Sequence, residues 1–216
     1  MAGASTASAG VTSWAYGPIF VLLDLDIGMN DWLTKPFVWD DTKAYDRGKV
    51  MTAEQLEAGK EFGRYLDVDG DAIPYRTLPG THPTKGAYFT RGTSRNRYAK
   101  YSEEGSDYVD NMQRLLRKLD TAKGLVPQPV IRNAKQPTRY GVIYFGSTSA
   151  AMDEALFKLE GEGIHLDTMR LRAFPFTKEV WDFIDSCDRV YVVEQNRDAQ
   201  MLALLKMECN AEQFAK

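Results

Sequence analysis

Three clusters of polar side chains carry the residue types that do chemistry. Asp24, Asp26 and Asn30 close the apolar run that begins at Ile19, a stretch of strand length with a β-branched start, consistent with a strand buried on both faces. Ligands of parallel α/β sheets gather beyond the carboxyl ends of strands, which makes these three the natural site residues of the first half. The same residue types also make plain turns after a strand, and that alternative stays open. Asp67, Asp69 and Asp71 alternate as the oxygen ligands of a calcium loop do, but Gly70 stands fourth where the EF-hand needs its glycine sixth. The required ligand count is not visible, and no metal is assigned.

The third cluster runs from Thr81 to Tyr101. It mixes His82, Lys85, Arg91, Arg95, Arg97 and Lys100 with Tyr88, Phe89, Tyr98 and Tyr101. Cations interleaved with aromatic rings bind phosphates or stacked bases, and Lys85, Arg91 and Arg95 are the candidate residues for that role. The competing reading is a solvated, partly packed loop. In the second half, Gly146-Ser147 forms a strand-to-helix turn whose N–H groups could face a phosphate. No G-x-G-x-x-G or G-x-x-x-x-G-K-[ST] occurs, so dinucleotide and nucleoside-triphosphate binding have no basis and an ordinary helix cap remains. Glu194 ends a strand without a visible acid–base partner, and His165 reads as a packed or edge residue.

The elements that must position these residues follow from periodicity and punctuation. Residues 1–16, rich in Ala, Ser, Gly and Thr, read as a flexible tail with no basic segment and no apolar run of signal-peptide length. Met51 to Leu66 reads as a helix, with Thr52 and Gln55 at capping-box spacing and Gly59 and Gly63 weakening it. Between Asp24 and Gly92 the chain is unusually dense in Gly, Pro, Asp and aromatic residues for an ordered connection. Ser106 to Lys123 is the strongest helix, with Val109, Met112, Leu115, Leu116 and Leu119 on one stripe that is expected to face the core.

Leu125 to Pro137, with three prolines, reads as an extended linker, and a second unit is expected from about Arg139. That unit alternates. Strand Tyr140 to Phe145 leads to a helix ending at Gly161 with Ala151, Ala155, Leu156 and Leu159 inward. Strand Ile164 to Leu171 leads to a helix capped by Thr177 with Val180, Phe183 and Ile184 inward. Strand Arg189 to Glu194 leads to a helix over Ala199 to Met207. Such alternation demands right-handed crossovers and a parallel sheet, hence an α/β fold with a βαβαβ order.

Composition bounds the function classes. The chain has 216 residues, 44% of them hydrophobic, with a net charge of −3 and a pI near 5.5, which suits a globular protein and gives no electrostatic case for nucleic acid. Its two cysteines, Cys187 and Cys209, lack a C-x-x-C spacing, so a zinc site, a cysteine-held cluster or a disulfide framework is not expected. A reduced, cytoplasmic setting without a membrane span fits this usage.

Six words, PIFVLLDLDIGMN, YDRGK, DVDGDAIPYRTLPGTHP, AYFTRG, LLRKLDTAK and LVPQPVI, occur in an order that resembles the α subunit of 2-oxoacid:ferredoxin oxidoreductases of the 2-oxoglutarate type. The resemblance runs from Pro18 to the end. It implies a domain order: the C-terminal edge of a thiamine-type pyrimidine domain over residues 17–50, an irregular helical connector over 51–136, and an incomplete transketolase C-terminal-like domain over 137–216. On that comparison the chain is truncated at both ends, which implies a sheet edge left open beyond the last strand unless a partner covers it, and the pyrimidine-side glutamate of the family falls upstream of it.

The implied reaction is the coenzyme A-acylating oxidative decarboxylation of a 2-oxoacid. Its thiamine diphosphate, Mg and iron–sulfur cluster are held mainly by a β subunit and none by this chain alone. The implied partners are that β subunit, ferredoxin, the 2-oxoacid and coenzyme A, whose phosphates and base suit the loop of Lys85, Arg91 and Arg95. The isolated chain is expected to be inactive. A non-catalytic α/β assembly module and a small-molecule-binding module are the alternatives.

Overall fold

The computed structural model describes residues 40–42, 47–90 and 94–216, and contact density divides these residues into two compact units at Leu125/Val126. Asp24, Asp26, Asn30, Arg91, the strand from Ile19 and the tail 1–16 lie outside the described residues.

In the first unit Thr52 starts helix α1 (Ala53–Glu57) through a full capping box. Its Oγ1 accepts from Gln55 N at 3.3 Å and Gln55 Oε1 accepts from Thr52 N at 2.9 Å, satisfying two of the helix's unpaired donors. The expected helix to Leu66 is instead this short piece. Gly59 takes a left-handed φ of +84° directly after it, which ends the α-helical path. The chain then runs irregularly around buried Met51, Leu56, Leu66 and Ile73, tied by isolated bridges Val50–Arg76 and Arg95–Tyr101.

Helix α2 (Gly105–Lys123) forms where the sequence places it but packs the other way round. Asn111 and Arg114 are buried, while Val109, Met112, Leu115, Leu116 and Leu119 are exposed. The neighbours explain the reversal. Asn111 Nδ2 donates to Arg95 O at 2.8 Å, Arg114 Nη1 to Ala72 O at 3.2 Å, and Thr121 Oγ1 to Asp71 O at 2.7 Å. Irregular backbone leaves carbonyls without ladder partners, and a helix lying on it must bring donors.

The second unit is a mixed α/β layer. Strands β1 (Val130–Arg132), β2 (Tyr140–Tyr144), β3 (Asp167–Arg170) and β4 (Arg189–Val193) form one sheet in the order β1-β3-β2-β4. Strand β2 is parallel to both β3 and β4, and β1 runs antiparallel to β3. β1 lies inside the stretch read as an extended linker. Val130 and Ile131 stand between the prolines, so a three-residue edge strand fits where no longer one would.

Helices α3 (Thr148–Gly161), α4 (Lys178–Ser186), α5 (Gln200–Glu208) and α6 (Ala211–Phe214) complete the unit. On α3 the inward face is Met152 with Leu156 rather than Ala151 and Ala155, which are exposed; Met152 packs with Val142 and Tyr144. Val180, Phe183 and Ile184 on α4 are buried as the periodicity requires, against Ile143, Met169 and Leu171. Burying each such side chain contributes roughly 1.5–3 kcal/mol. Gly141 makes that contact close: a Cβ there would meet Cys187 Sγ at 2.7 Å and the Phe183 ring at 3.0 Å. The open edge expected beyond β4 is partly closed, because Val190 N donates to Lys216 O at 3.2 Å just after α6.

Candidate functional site

The cation-rich loop and α1 enclose a cleft of about 560 Å³, lined by Leu56, Lys60, Phe62, Lys85, Gly86, Ala87, Tyr98 and Lys100. Its cations come from three separate places in the sequence, which the irregular chain path brings together. Lys60 follows the left-handed Gly59, Lys85 stands in a His82-centred turn, and Lys100 follows the Asn96 turn.

Each wall is braced. His82 Nδ1 accepts from Thr84 N at 3.1 Å and Lys85 N at 2.9 Å, and its Nε2 meets Glu57 Oε1. The accepting Nδ1 leaves Nε2 as the donor, so the ring is locked between turn and helix. Glu57 Oε2 also takes Lys85 Nζ at 2.8 Å. Those two bonds, Lys85 first and His82 second, hold the Glu57 carboxyl below the ordinary range. Lys60 Nζ donates to Tyr75 Oη at 2.8 Å and lies 4.0 Å from that ring's centroid, and the Tyr75 bond raises its ammonium pKa. Tyr98 Oη donates to Glu61 Oε1 at 2.6 Å, which pushes the phenol up. No carboxylate of the described residues holds Lys100.

Chemically the cleft offers ammonium groups beside two rings and an apolar floor, the equipment for an anion carrying a flat or apolar group. Of the cluster singled out in the sequence, Lys85, Tyr98 and Lys100 are on its wall. Arg95 is elsewhere: its Nη1 donates to Tyr65 Oη at 3.0 Å. The guanidinium carbons of Arg64, Arg95 and Arg114 lie 5.4, 5.1 and 5.9 Å from the Tyr65 ring centroid. Burial, then the Arg64 charge, lowers Arg114. Lys60 and Phe62 were not legible as site residues, because they belonged to a stretch that reads as a continuous helix.

Asp69 and Asp71 are engaged by the chain's own cations, and Lys60 Nζ of the cleft lies 3.5 Å from Asp69 Oδ1. Lys49 Nζ lies 2.8 Å from Asp69 Oδ2, 2.7 Å from Asp71 Oδ1 and 3.0 Å from Ile73 O. Among the described residues no three His, Cys, Asp or Glu side chains converge as a metal site, and Cys187 is a buried free thiol, so the ligand set of a cluster or a Mg ion does not fit on them. In the second unit Glu194 is a capping residue: its carboxylate accepts from Met201 N at 3.1 Å and Leu202 N at 3.2 Å at the start of α5. Gln195 Nε2 donates to Ser147 Oγ at 3.4 Å, linking the loops after β4 and β2. His165 Nδ1 is buried with no hydrogen-bond partner among the described residues. No described helix is long and apolar enough to cross a membrane.

The chain matches no protein-family model and no curated protein. It does share a fold with a solved protein. A 2-oxoglutarate:ferredoxin oxidoreductase from Magnetococcus marinus, with 2-oxoglutarate, coenzyme A and succinyl-CoA bound, superposes with a TM-score of 0.66 at 18% identity, covering 80% of this chain. This chain spans 29% of the length of that one. At that identity the likeness is one of fold.

Proposed function

We propose that this chain is an α-subunit portion of a thiamine-diphosphate-dependent 2-oxoacid:ferredoxin oxidoreductase, acting on 2-oxoglutarate and passing the acyl group to coenzyme A. The observation that carries the reading is the fold shared with the Magnetococcus marinus enzyme over 80% of this chain. It is supported by the order of the six sequence words named above. In this reading thiamine diphosphate, Mg and the iron–sulfur cluster reside on a β subunit, and the cofactor supplies the carbanion chemistry when bound. This chain's part is orientation: Asp24, Asp26 and Asn30 on the 2-oxoacid side, and Lys60, Lys85 and Lys100, with Arg91 of the same loop, toward the phosphates of coenzyme A, whereas Arg95 is taken by Tyr65.

The test is 2-oxoglutarate-dependent viologen reduction by the complex of this chain with its β subunit. Lys100→Ala combined with Lys60→Ala is expected to raise KM for coenzyme A about tenfold at unchanged kcat, the pattern of lost ground-state binding. Asp26→Ala and Asn30→Ala are expected to lower turnover. An intact complex in which neither pair changes the kinetics removes the substrate-side roles and leaves the second reading, an assembly module. That reading is favoured by one observation: Lys85 and Arg95 are spent on internal partners, Glu57 and Tyr65.

A further inference from the structure

The three ammonium groups of the cleft beside α1 are held differently. Lys60 rests on the neutral Tyr75 hydroxyl and shares Asp69 with Lys49, and no carboxylate of the described residues holds Lys100. Lys85 is paired: its Nζ lies 2.8 Å from Glu57 Oε2, while Glu57 Oε1 is taken by His82 Nε2. The backbone around Lys85 is pinned on both sides. Its N–H donates to His82 Nδ1 at 2.9 Å, and Gly86 O accepts from Thr77 Oγ1 at 2.6 Å. Gly86 sits so close that a Cβ there would meet Thr77 Cγ2 at 2.8 Å and Leu56 Cδ1 at 3.0 Å. The ammonium itself is not pinned. The Lys85 side chain is 45% exposed and that of Glu57 60%, so an anion reaches the pair from solvent, and the flexible lysine stem carries Nζ from one acceptor to another without moving the turn.

We infer that Glu57 is an internal competitor for the ligand of this cleft, a positioning residue from which a dianionic phosphate bearing a flat or apolar group takes Lys85 on binding. The inference rests on the reading of the cleft as an anion site given above and adds how that site is regulated and what charge it selects. The exchange is decided by charge. A monoanion that replaces Glu57 at Lys85 trades one ion pair for another of equal strength, and the displaced carboxylate stays nearby to repel it. A phosphate dianion brings about twice the charge and three acceptor oxygens, so one group answers both Lys85 and Lys100, which line the same cleft. Leu56, Phe62 and Tyr98 then meet the apolar group behind the phosphate. Glu61 provides the contrast. Its carboxylate accepts from the Tyr98 hydroxyl at 2.6 Å, so it brings negative charge to the cleft wall by way of a neutral donor, whereas Glu57 holds a cleft lysine.

The experiment is a nuclear magnetic resonance titration of the isotope-labelled full chain with phenyl phosphate and with benzenesulfonate, a monoanion on the same ring. At about pH 8 phenyl phosphate is a dianion, since the second pKa of a phosphate monoester is about 6. Phenyl phosphate is expected to move the Glu57 carboxyl resonance of the wild-type chain, and benzenesulfonate to leave it in place. Glu57→Gln, whose amide oxygen still accepts from His82, is expected to tighten phenyl phosphate about threefold to fivefold, the strength of an exposed ion pair. In a Lys85→Met background the same change is expected to have little effect, and Glu61→Gln alone to gain less than Glu57→Gln. Phenyl phosphate that binds neither wild type nor Glu57→Gln, a Glu57→Gln chain that binds no more tightly, a gain that persists with Lys85→Met, or an equal gain from Glu61→Gln each overturns the inference. Coenzyme A titrated in the same way separates the two readings. If phenyl phosphate behaves as stated and coenzyme A does not bind, the exchange stands and the coenzyme A assignment falls; if coenzyme A binds equally to wild type and Glu57→Gln, the assignment stands and the exchange falls.

Discussion

Replacing Lys49 by Met tests whether the irregular first unit is held by a buried ion cluster. The Lys49 side chain is 7% exposed and Asp69 and Asp71 are 36% and 32% exposed, so the lysine is desolvated while its partners keep water. Breaking a fully buried pair costs about 3–5 kcal/mol, and the exposure of the carboxylates brings this to about 2–3 kcal/mol, including the unpaired Ile73 carbonyl. With a urea dependence of about 2–3 kcal/mol per molar, the midpoint read by circular dichroism falls by about 1 M. A fall below about 0.3 M refutes the reasoning. Asp69→Asn added to Lys49→Met is expected to recover part of the loss, because it removes carboxylate repulsion.

The pH dependence follows from the same cluster. Burial pushes the Lys49 ammonium down, but the bonds to Asp69 and Asp71 override it and the net direction is up from 10.5. Its contribution is present below that ordinary value and is lost as pH rises through the folded one. The Lys49 bond holds Asp69 below 3.8, so its contribution is present above 3.8 and lost as pH falls through the depressed value. A stability plateau between those limits is expected, and Lys49→Met weakens both flanks.

Glu57→Gln frees Lys85 and loosens His82; it is expected to speed protease cleavage in the 81–90 turn severalfold, as read by limited digestion, with little change in the second unit. Gly141→Ala, whose Cβ has no room beside Cys187 and Phe183, is expected to cost about 1–3 kcal/mol in urea unfolding. Glu194→Ala removes the cap of α5 and is expected to cost about 1 kcal/mol by the same assay. Burial pushes the Cys187 thiol up, so alkylation of the native chain near pH 8 is expected at Cys209 well before Cys187, checked by mass spectrometry.

The second unit was legible because its signals agree with each other. β-branched runs at Val142, Val190 and Val192 alternate with a helix whose Val180, Phe183 and Ile184 share one face, and regular ladders satisfy the backbone without help from side chains. Alanine was the weak signal: Ala151 and Ala155 count as apolar but exclude little water, and Met152 with Leu156 decided the face of α3. Glu194 looked unpartnered because its partners are backbone N–H groups, which no side-chain pattern records. The cleft was legible only in part. Lys85, Tyr98 and Lys100 could be picked from the cation-rich segment, but Lys60 reaches the cleft through a turn at Gly59 that periodicity does not encode.

The reversal of α2 shows where the rule of burying the apolar stripe stops applying. The stripe turns inward when the surface below it is apolar and already satisfied, as a sheet face is. Below α2 lies loop backbone whose carbonyls at Asp71, Ala72 and Arg95 need donors. Leaving three such carbonyls unpaired would cost about 1–3 kcal/mol each, comparable with what burying three leucines contributes. Arg114 then adds its desolvated charge to the inner face, which only a fixed acceptor such as Ala72 O can hold there. The donors win the inner face, and the apolar residues are left on the outer one. Since Asn111, Arg114 and Thr121 are as periodic as Val109, Met112 and Leu116, the sequence contains both stripes. What decides between them is whether the neighbouring segment is regular or irregular.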